Sequence, residues 1–287
     1  MKRLPVTLAL AAILALGLIS GCDQLNSSVS DGSGIGTMSV LVTDSPFPFD
    51  ILQEANIHVL KVTGRRESDV DTQFVTLYDG PDTTLNLLDL QNGITASLAQ
   101  AQVPAGSYNQ FRFFVDSASV KLTNGDEYAL KVPSGSSSGI KLMVDPPVIV
   151  IEDSTQNPLL GGILLVDVDV SKSFVLQGNP DTPAGIHGFL FKPVLRGVNL
   201  NNTGNIVGTV TDTSSVGITD AQVWVEADSV VASTSSIEGG AYGILGLLPN
   251  TYSVFATKAG YDTASVSDQQ VGTGSVSTVN FTLTPTN

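Results

Sequence analysis

VPAGSYNQFRF (residues 103–113) and LPNTYSVFA (residues 248–256) share one design. Each has a proline and then a residue suited to positive φ, Gly106 in the first and Asn250 in the second. Ser or Thr followed by Tyr comes next, and then a strand-like run. Glycine has no Cβ to clash in the left-handed region, and asparagine is the next most tolerant residue there. A tyrosine placed just after such a turn is where a β-sandwich buries a ring and bonds its hydroxyl back to the turn. One copy in each half of the chain implies two sandwiches in tandem.

The surrounding sequence has the matching period. TMSVLVTD (37–44), NIHVLKVTG (56–64), QFVTLYD (73–79), YNQFRFFVD (108–116), ASVKLT (118–123) and EYALKV (127–132) are short alternating runs, and GIKLMV (139–144), VIVIED (148–153), ILLVDVDV (163–170) and GFLFKPVLRGVNL (188–200) follow. Side chains two apart share a face of a strand, so such runs bury one face. In NIHVLKVTG the alternation places Ile57, Val59 and Lys61 on one face and His58, Leu60 and Val62 on the other. Asn124-Gly125 between two runs predicts a tight hairpin. Single helical turns are expected at Phe49 to Glu54 and Ala96 to Gln102. LNNTGN (200–205) is polar and separates these runs from NIVGTVTD (205–212), AQVWVEA (221–227), AYGILGL (241–247), TYSVFATKAGY (251–261) and STVNFTLTP (277–285). The predicted fold class is all-β, with a sandwich over 37–200 and a smaller one over 204–287, close to the minimum size that folds alone.

The 287 residues carry a formal net charge of −14. A surface that negative repels phosphate backbones and anionic lipid headgroups, so nucleic acid is not an expected partner. The single cysteine, Cys22, cannot form an internal disulfide, and two histidines, His58 and His187, make no zinc cluster. Residues 1–21 have the layout of a secretory signal: Lys2 and Arg3, an apolar run from Thr7 to Ile19, then Ser20 and Gly21. The run is short for a membrane span. Residues 22–36, rich in Ser, Gly, Asp and Asn, read as a tether.

Ile19-Ser20-Gly21-Cys22 resembles a bacterial lipobox. The resemblance implies cleavage before Cys22, a diacylglycerol on its thiol and an acyl chain on the new amino group. Several chains at about 0.8 kcal/mol per buried methylene hold firmly, where one binds reversibly. The simpler reading is an ordinary signal peptide with an incidental cysteine. The expected location is the bacterial cell envelope, anchored to a membrane by lipid, periplasmic or on the outer surface. Asp23 resembles an inner-membrane retention signal of some enteric bacteria, but sorting rules differ between lineages and the choice of membrane stays open.

The C-terminal part resembles the carboxypeptidase regulatory-like family, a transthyretin-like sandwich of seven strands. The matching residues are Gly208 to Asp212, Ile218 to Val225, Gly239 to Tyr242, Leu247 to Tyr252 and Lys258 to Tyr261. Asn250 stands where the family usually has glycine, and Glu238 where it commonly has Asp or Asn. The resemblance implies no zinc site and no catalysis; related sandwiches are grouped with carbohydrate-binding-like folds. The N-terminal part resembles an uncharacterised bacterial lipoprotein family, domain of unknown function 4382. Val42 to Pro46, Leu87 to Leu90, Pro104 to Tyr108 with Arg112, and Val132 to Gly135 carry the likeness. It continues through Gly139 to Leu142, Asp167 to Asp169, Lys172 to Phe174 and Lys192 to Val194. That family implies no activity.

Candidate chemistry is sparse. Gly135-Ser136-Ser137-Ser138-Gly139 fits G-x-S-x-G, but a nucleophile elbow needs a helix after it and an alternating strand follows instead. His58 and His187 sit in or beside strands and read as structural or solvated. Asp167 and Asp169, two apart on a strand, share one face; with Asp44 they form a candidate calcium set, against the preferred reading of a solvated polar face. Asp44 is expected to bond its own turn. A pocket lined by several of Asp44, Asp50, Asp167 and Arg112 would point to an enzyme. Trp224 faces outward with Gln222 and Glu226 while Ala221, Val223 and Val225 face the core. It is a candidate for stacking on a sugar or anchoring an interface, or for packing against the first domain. The expectation is a non-catalytic, lipid-anchored envelope protein that binds a glycan or an envelope protein through its sandwiches, with no cofactor beyond the lipid on Cys22. The alternatives are a structural spacer or docking lipoprotein, a hydrolase, or a calcium-binding protein.

Overall fold

The computed structural model describes residues 34–45, 51–70, 73–80, 83–132, 137–153, 161–179 and 185–286. The signal segment, Cys22 and all but the last three residues of the expected tether lie outside the described residues, as do Asp50, Gly135 and Ser136. The described residues all belong to one compact unit.

The N-terminal part contains β1 (Ile35–Ser45), β2 (Leu52–Arg66), β3 (Val75–Tyr78), β4 (Thr83–Asn86), β5 (Ala96–Pro104) and β6 (Gly106–Leu122). β7 (Glu127–Lys131), β8 (Ile140–Val150), β9 (Gly162–Asp169), β10 (Phe174–Asn179), β11 (Gly185–Phe191) and β12 (Leu195–Asn199) complete it. One sheet has the order β12-β9-β1-β5; the other runs β3-β2-β6-β7, with β4 also on β2 and β8 also on β6; β10 and β11 form a separate hairpin. Between the sheets Met38, Val40 and Val42 of β1 and Leu164, Val166 and Val168 of β9 are buried in one cluster with Val59, Phe111, Phe113, Val144 and Val148. β1 starts at Ile35, which pairs with Pro104, so the end of the expected tether belongs to the sheet.

The C-terminal part contains β13 (Gly204–Asp212), β14 (Gln222–Glu226), β15 (Val230–Ser235), β16 (Ala241–Leu247), β17 (Asn250–Thr257), β18 (Ala264–Val271), β19 (Val276–Thr278) and β20 (Phe281–Leu283). β15-β14-β17-β18 is one sheet; in the other, β13 lies between β16 and the successive short strands β19 and β20. A second core, with Ile206, Val223, Val225, Leu247, Val254 and Leu283, fills the space between them. The fold is all-β, as the alternating runs require.

The tyrosine device is present in both halves. Tyr108 Oη donates to Pro104 O at 2.7 Å and Tyr252 Oη to Leu248 O at 2.8 Å, each four residues back. Gly106 has φ +145°, but Asn250 is not among the residues with positive φ. Asn250 is the first residue of β17, extended and paired with Val271. The nearby left-handed residue is Gly246, inside β16 where its register with β13 shifts.

Three local expectations fail for one reason, the bulge. Ala96 to Gln102 is strand, not helix: Val40 pairs with Ala99 but Leu41 with Ser97, which leaves Leu98 as an extra residue. Leu98 and Ala99 are therefore both buried, and adjacent apolar positions mimic a helical stripe. In β2 the register shifts between Val59 and Lys61, so Val62 returns to the buried face that Ile57 and Val59 share. Leu52 to Glu54, expected as part of a helical turn, begins that same strand. The hairpin at Asn124-Gly125 forms as expected, with Gly125 at φ +95° and its N–H donating to Leu122 O.

Candidate functional site

The ends of β1, β9 and β12 meet the C-terminal sandwich, and here the structure gathers its buried charges. β1 and β9 run parallel with Asp44 beside Val168 and Thr43 beside Asp167, and β12 places Arg196 opposite Asp167. Asp44 is 5% exposed and Asp167 7%. The polar face expected to be solvated is covered, because the second sandwich packs on it. Arg196 bridges the joint. Its Nε and Nη2 donate to Asp167 Oδ2 at 3.3 and 3.2 Å, Nη1 donates to Gly246 O at 2.8 Å, and Nη2 to Leu245 O at 3.4 Å. Thr234 Oγ1 adds a bond to Asn92 Oδ1 across the same joint.

The sequence expectation that Asp44 bonds its own turn is not met. Asp44 lies within β1, and its Oδ1 accepts from the Val170 N–H at 3.3 Å, while Oδ2 is buried with no hydrogen-bond partner. Burial pushes its carboxyl well above the ordinary range, with the charges of Asp167 and Asp169 acting the same way against the Val170 amide and the Gln91 side chain. Asp169 leaves the group because β9 ends there. It caps a single helical turn, Val170–Ser173, accepting from Ser171 Oγ, Lys172 N and Lys172 Nζ. Strand alternation puts Asp167 and Asp169 on one face, but the turn redirects the second carboxylate. Among the described residues no group of three or more His, Cys, Asp or Glu has metal-binding geometry. The cavity that Asp44, Asp167, Arg196, Thr234 and Leu245 help to line is about 20 Å³. Arg112 is elsewhere: it lies 4.5 Å over the Phe74 ring and donates to Ser138 O.

The second candidate is the outward face of β14. Ala221, Val223 and Val225 are fully buried, and Trp224 is half-buried on the opposite face. Its ring stacks on Phe255 at 5.1 Å between centroids and 9° between planes, and its Nε1 donates to Glu226 Oε1 at 2.7 Å. The strand registers align Ser233, Trp224, Phe255 and Ser265 in one row across four strands. Phe255 was legible in principle, since alternation in TYSVFAT puts Tyr252, Val254 and Ala256 inside and Phe255 out.

His58 pairs with a residue the sequence reading did not single out. Its Nδ1 is 2.6 Å from Asp116 Oδ1, which also accepts from Ser117 Oγ. The His58 bond is the main cause holding Asp116 below the usual carboxylate range. The pair borders a surface groove of about 420 Å³ with Asn56, Thr84 and Ser119. His187 is an exposed residue of β11. After Gly139, at φ +69°, β8 begins, so no helix follows the serine-rich segment.

A family model described as domain of unknown function (DUF4382) matches residues 35–193, more than half of the chain, and one described as carboxypeptidase regulatory-like domain matches residues 205–284. No curated protein matches the chain. Solved structures similar to it include the Bacillus anthracis TIE protein, with 13% identity, 88% of this chain and 34% of that one covered, and a TM-score of 0.25. The minor pilin GBS52 of Streptococcus agalactiae has 10% identity, coverage of 87% and 97%, and a TM-score of 0.24. The major pilin subunit BcpA of Bacillus cereus has 10% identity, coverage of 88% and 71%, and a TM-score of 0.26. Scores of this size do not establish a shared fold.

Proposed function

Because the chain belongs to the DUF4382 family, a domain of unknown function joined here to a carboxypeptidase regulatory-like domain, and inherits no activity from it, we propose a binding role: a non-catalytic, lipid-anchored cell-envelope protein whose C-terminal sandwich engages a glycan or a protein partner. The observation that carries this reading is the Trp224–Phe255 stack. Two parallel rings on an outward sheet face, flanked in register by Ser233 and Ser265 and beside the Glu226 carboxylate, offer flat apolar surface next to hydrogen-bonding groups. That combination suits the C–H face and hydroxyl rim of a sugar, and equally an aromatic-anchored protein interface. With a net charge of −14 the chain favours neutral glycans over anionic ones.

The non-catalytic part of the proposal draws on where the candidate groups sit. The best-buried carboxylates, Asp44 and Asp167, line a cavity of about 20 Å³, which holds no organic substrate. Lipid anchoring rests on Ile19 to Cys22 alone. A purely structural role as a spacer or docking module is the second reading, favoured by the Arg196 bridge that fastens one sandwich to the other.

The test is a glycan array and an envelope pull-down with the soluble 23–287 fragment and its Trp224→Ala variant. Binding that Trp224→Ala abolishes supports the proposal; binding unchanged by the substitution removes its main support, and no binding at all leaves the spacer reading. Cys22→Ala should release the full chain from membranes, and continued retention would refute the anchor.

A further inference from the structure

We propose that the joint between the two sandwiches is closed by one buried proton on Asp44, which makes the coupling of the domains weaken as pH rises. The starting point is the orphan atom. Asp44 Oδ2 is buried without a hydrogen-bond partner, and Asp44 lines a cavity to which both sandwiches contribute. Buried polar groups in folded proteins are nearly always satisfied, so an exception requires an account.

The charges around it leave Asp44 unmatched. β9 brings Asp167 and Asp169, and β12 brings Arg196. Arg196 is paired with Asp167, and Lys172 of the helical turn with Asp169. From the second sandwich, β15 and β16 bring Ala232, Ser233, Thr234, Gly243, Ile244 and Leu245, none of them ionisable. An ionised carboxylate so placed has no counter-charge, and an unpaired charge out of water is costly enough that the group neutralises instead.

Two neutralising partners are available, a cation or a proton. A hard divalent cation takes about six to eight oxygen ligands. The cavity is about 20 Å³, space for one water-sized body. The Arg196 guanidinium already lies in its wall, Asp169 is held by its own turn, and the Thr43 hydroxyl bonds the Leu90 and Ile94 carbonyls. Too few oxygens remain for an ion, and a proton satisfies the same charge balance. It also converts Oδ2 from an orphan acceptor into a donor facing a cavity lined by the Asp167 carboxylate.

The direction of the pH effect follows. The folded chain holds this proton more tightly than the unfolded chain, in which an aspartate ionises near about 3.9. The stabilisation is therefore complete below that value and is lost as pH rises through the folded-state value. A protein held outside a membrane would have its two sandwiches fastened most firmly in acid and least firmly in alkali.

The experiment compares melting of the full chain, purified in detergent, with its Asp44→Asn variant from about pH 3 to about pH 9. Asparagine reproduces the neutral side chain. The two should melt nearly together at the acid end, and the variant should melt several degrees higher at the alkaline end. A gap that does not change with pH would overturn the proposal. Should the variant fail to fold, NMR of the native chain with carboxyl-labelled aspartate decides: one carboxyl that stays protonated after the other aspartates have ionised is expected, and ionisation of all of them within the ordinary range refutes it. A rise in melting temperature on adding millimolar calcium to the native chain would assign the site to a cation and overturn the proton.

Discussion

Replacing Arg196 with methionine is the sharpest perturbation of the joint. The change keeps much of the side-chain volume and removes the charge, the two bonds to Asp167 Oδ2 and the two bonds to the carbonyls of Gly246 and Leu245. Removing one partner of a buried ion pair costs about 3–5 kcal/mol, because the other charge is left uncompensated. The Asp167 side chain is 9% exposed and that of Arg196 26%, so water relieves part of this loss. The two carbonyl bonds add on the order of 1 kcal/mol each before water replaces them. The expected net loss is about 3 kcal/mol, equivalent to roughly 6–12 °C for a chain of this size. Urea unfolding followed by fluorescence reads the C-terminal sandwich directly, since Trp224 is the single tryptophan. Adding Asp167→Asn to Arg196→Met should restore about 1–2 kcal/mol by removing the stranded charge. A loss below about 0.5 kcal/mol, or a double variant no more stable than the single one, would show that the bridge is a solvated contact of the kind that contributes little.

Two further substitutions probe the frame around that bridge. Gly246 has φ +69°, and a Cβ there would lie 2.7 Å from Leu165 Cδ2 and 3.1 Å from Val198 Cγ2; Gly260 has φ +85° and open space around it. Gly246→Ala should therefore cost about 2 kcal/mol or more, strain and overlap together, while Gly260→Ala costs only the left-handed strain of about 1–2 kcal/mol. Equal melting shifts for the two would mean that Leu165 and Val198 move aside freely. Tyr108→Phe and Tyr252→Phe each remove a hydroxyl bonded to a carbonyl four residues back and should each lose about 1 kcal/mol in thermal melts. Burial pushes the Tyr108 hydroxyl up to about 12, so it remains a donor at ordinary pH and its contribution should not vary below about pH 9. No loss on either substitution would contradict the role assigned to the tyrosine turn.

Period two was enough to read the all-β class because most strands have one wet and one dry face. Where that condition fails, the alternation disappears from the sequence. β18 is an edge strand exposed along most of its length, so ASVSDQQV has no alternation to detect. β15 was missed as well: its buried positions include Thr234 and Ser235, residues that look like loop in composition. YNQFRFFVD and ASVKLT are one seventeen-residue strand, β6: exposed Asp116 and Ser117 resemble a turn, but Asp116 is skipped at a bulge and Ser117 resumes the pairing, with His58 of β2 and Lys131 of β7. The bulges at Leu98 and near Leu60 shift the phase of burial midway through a strand, which no fixed-period rule anticipates.

The candidate site was legible only as far as a single strand can be read. ILLVDVDV places Asp167 on the face away from the Val166 and Val168 core, and that placement is correct. A side chain outside one core, however, can be inside a joint. The partner that decides it, Arg196, is paired through β12, and the carbonyls that complete the arrangement belong to Leu245 and Gly246 of the other sandwich. Trp224 was readable because its environment is local to one strand pair. Asp44 was not, because its burial depends on three strands and a second domain meeting at one point. Interfaces between domains of one chain are more polar than cores, so an aspartate on an outward face carries two meanings that composition does not separate. Here the distinction has a chemical consequence: the same carboxylate in solvent would be one of 27 acidic residues, whereas at the joint it is the group whose proton sets how firmly the sandwiches hold together.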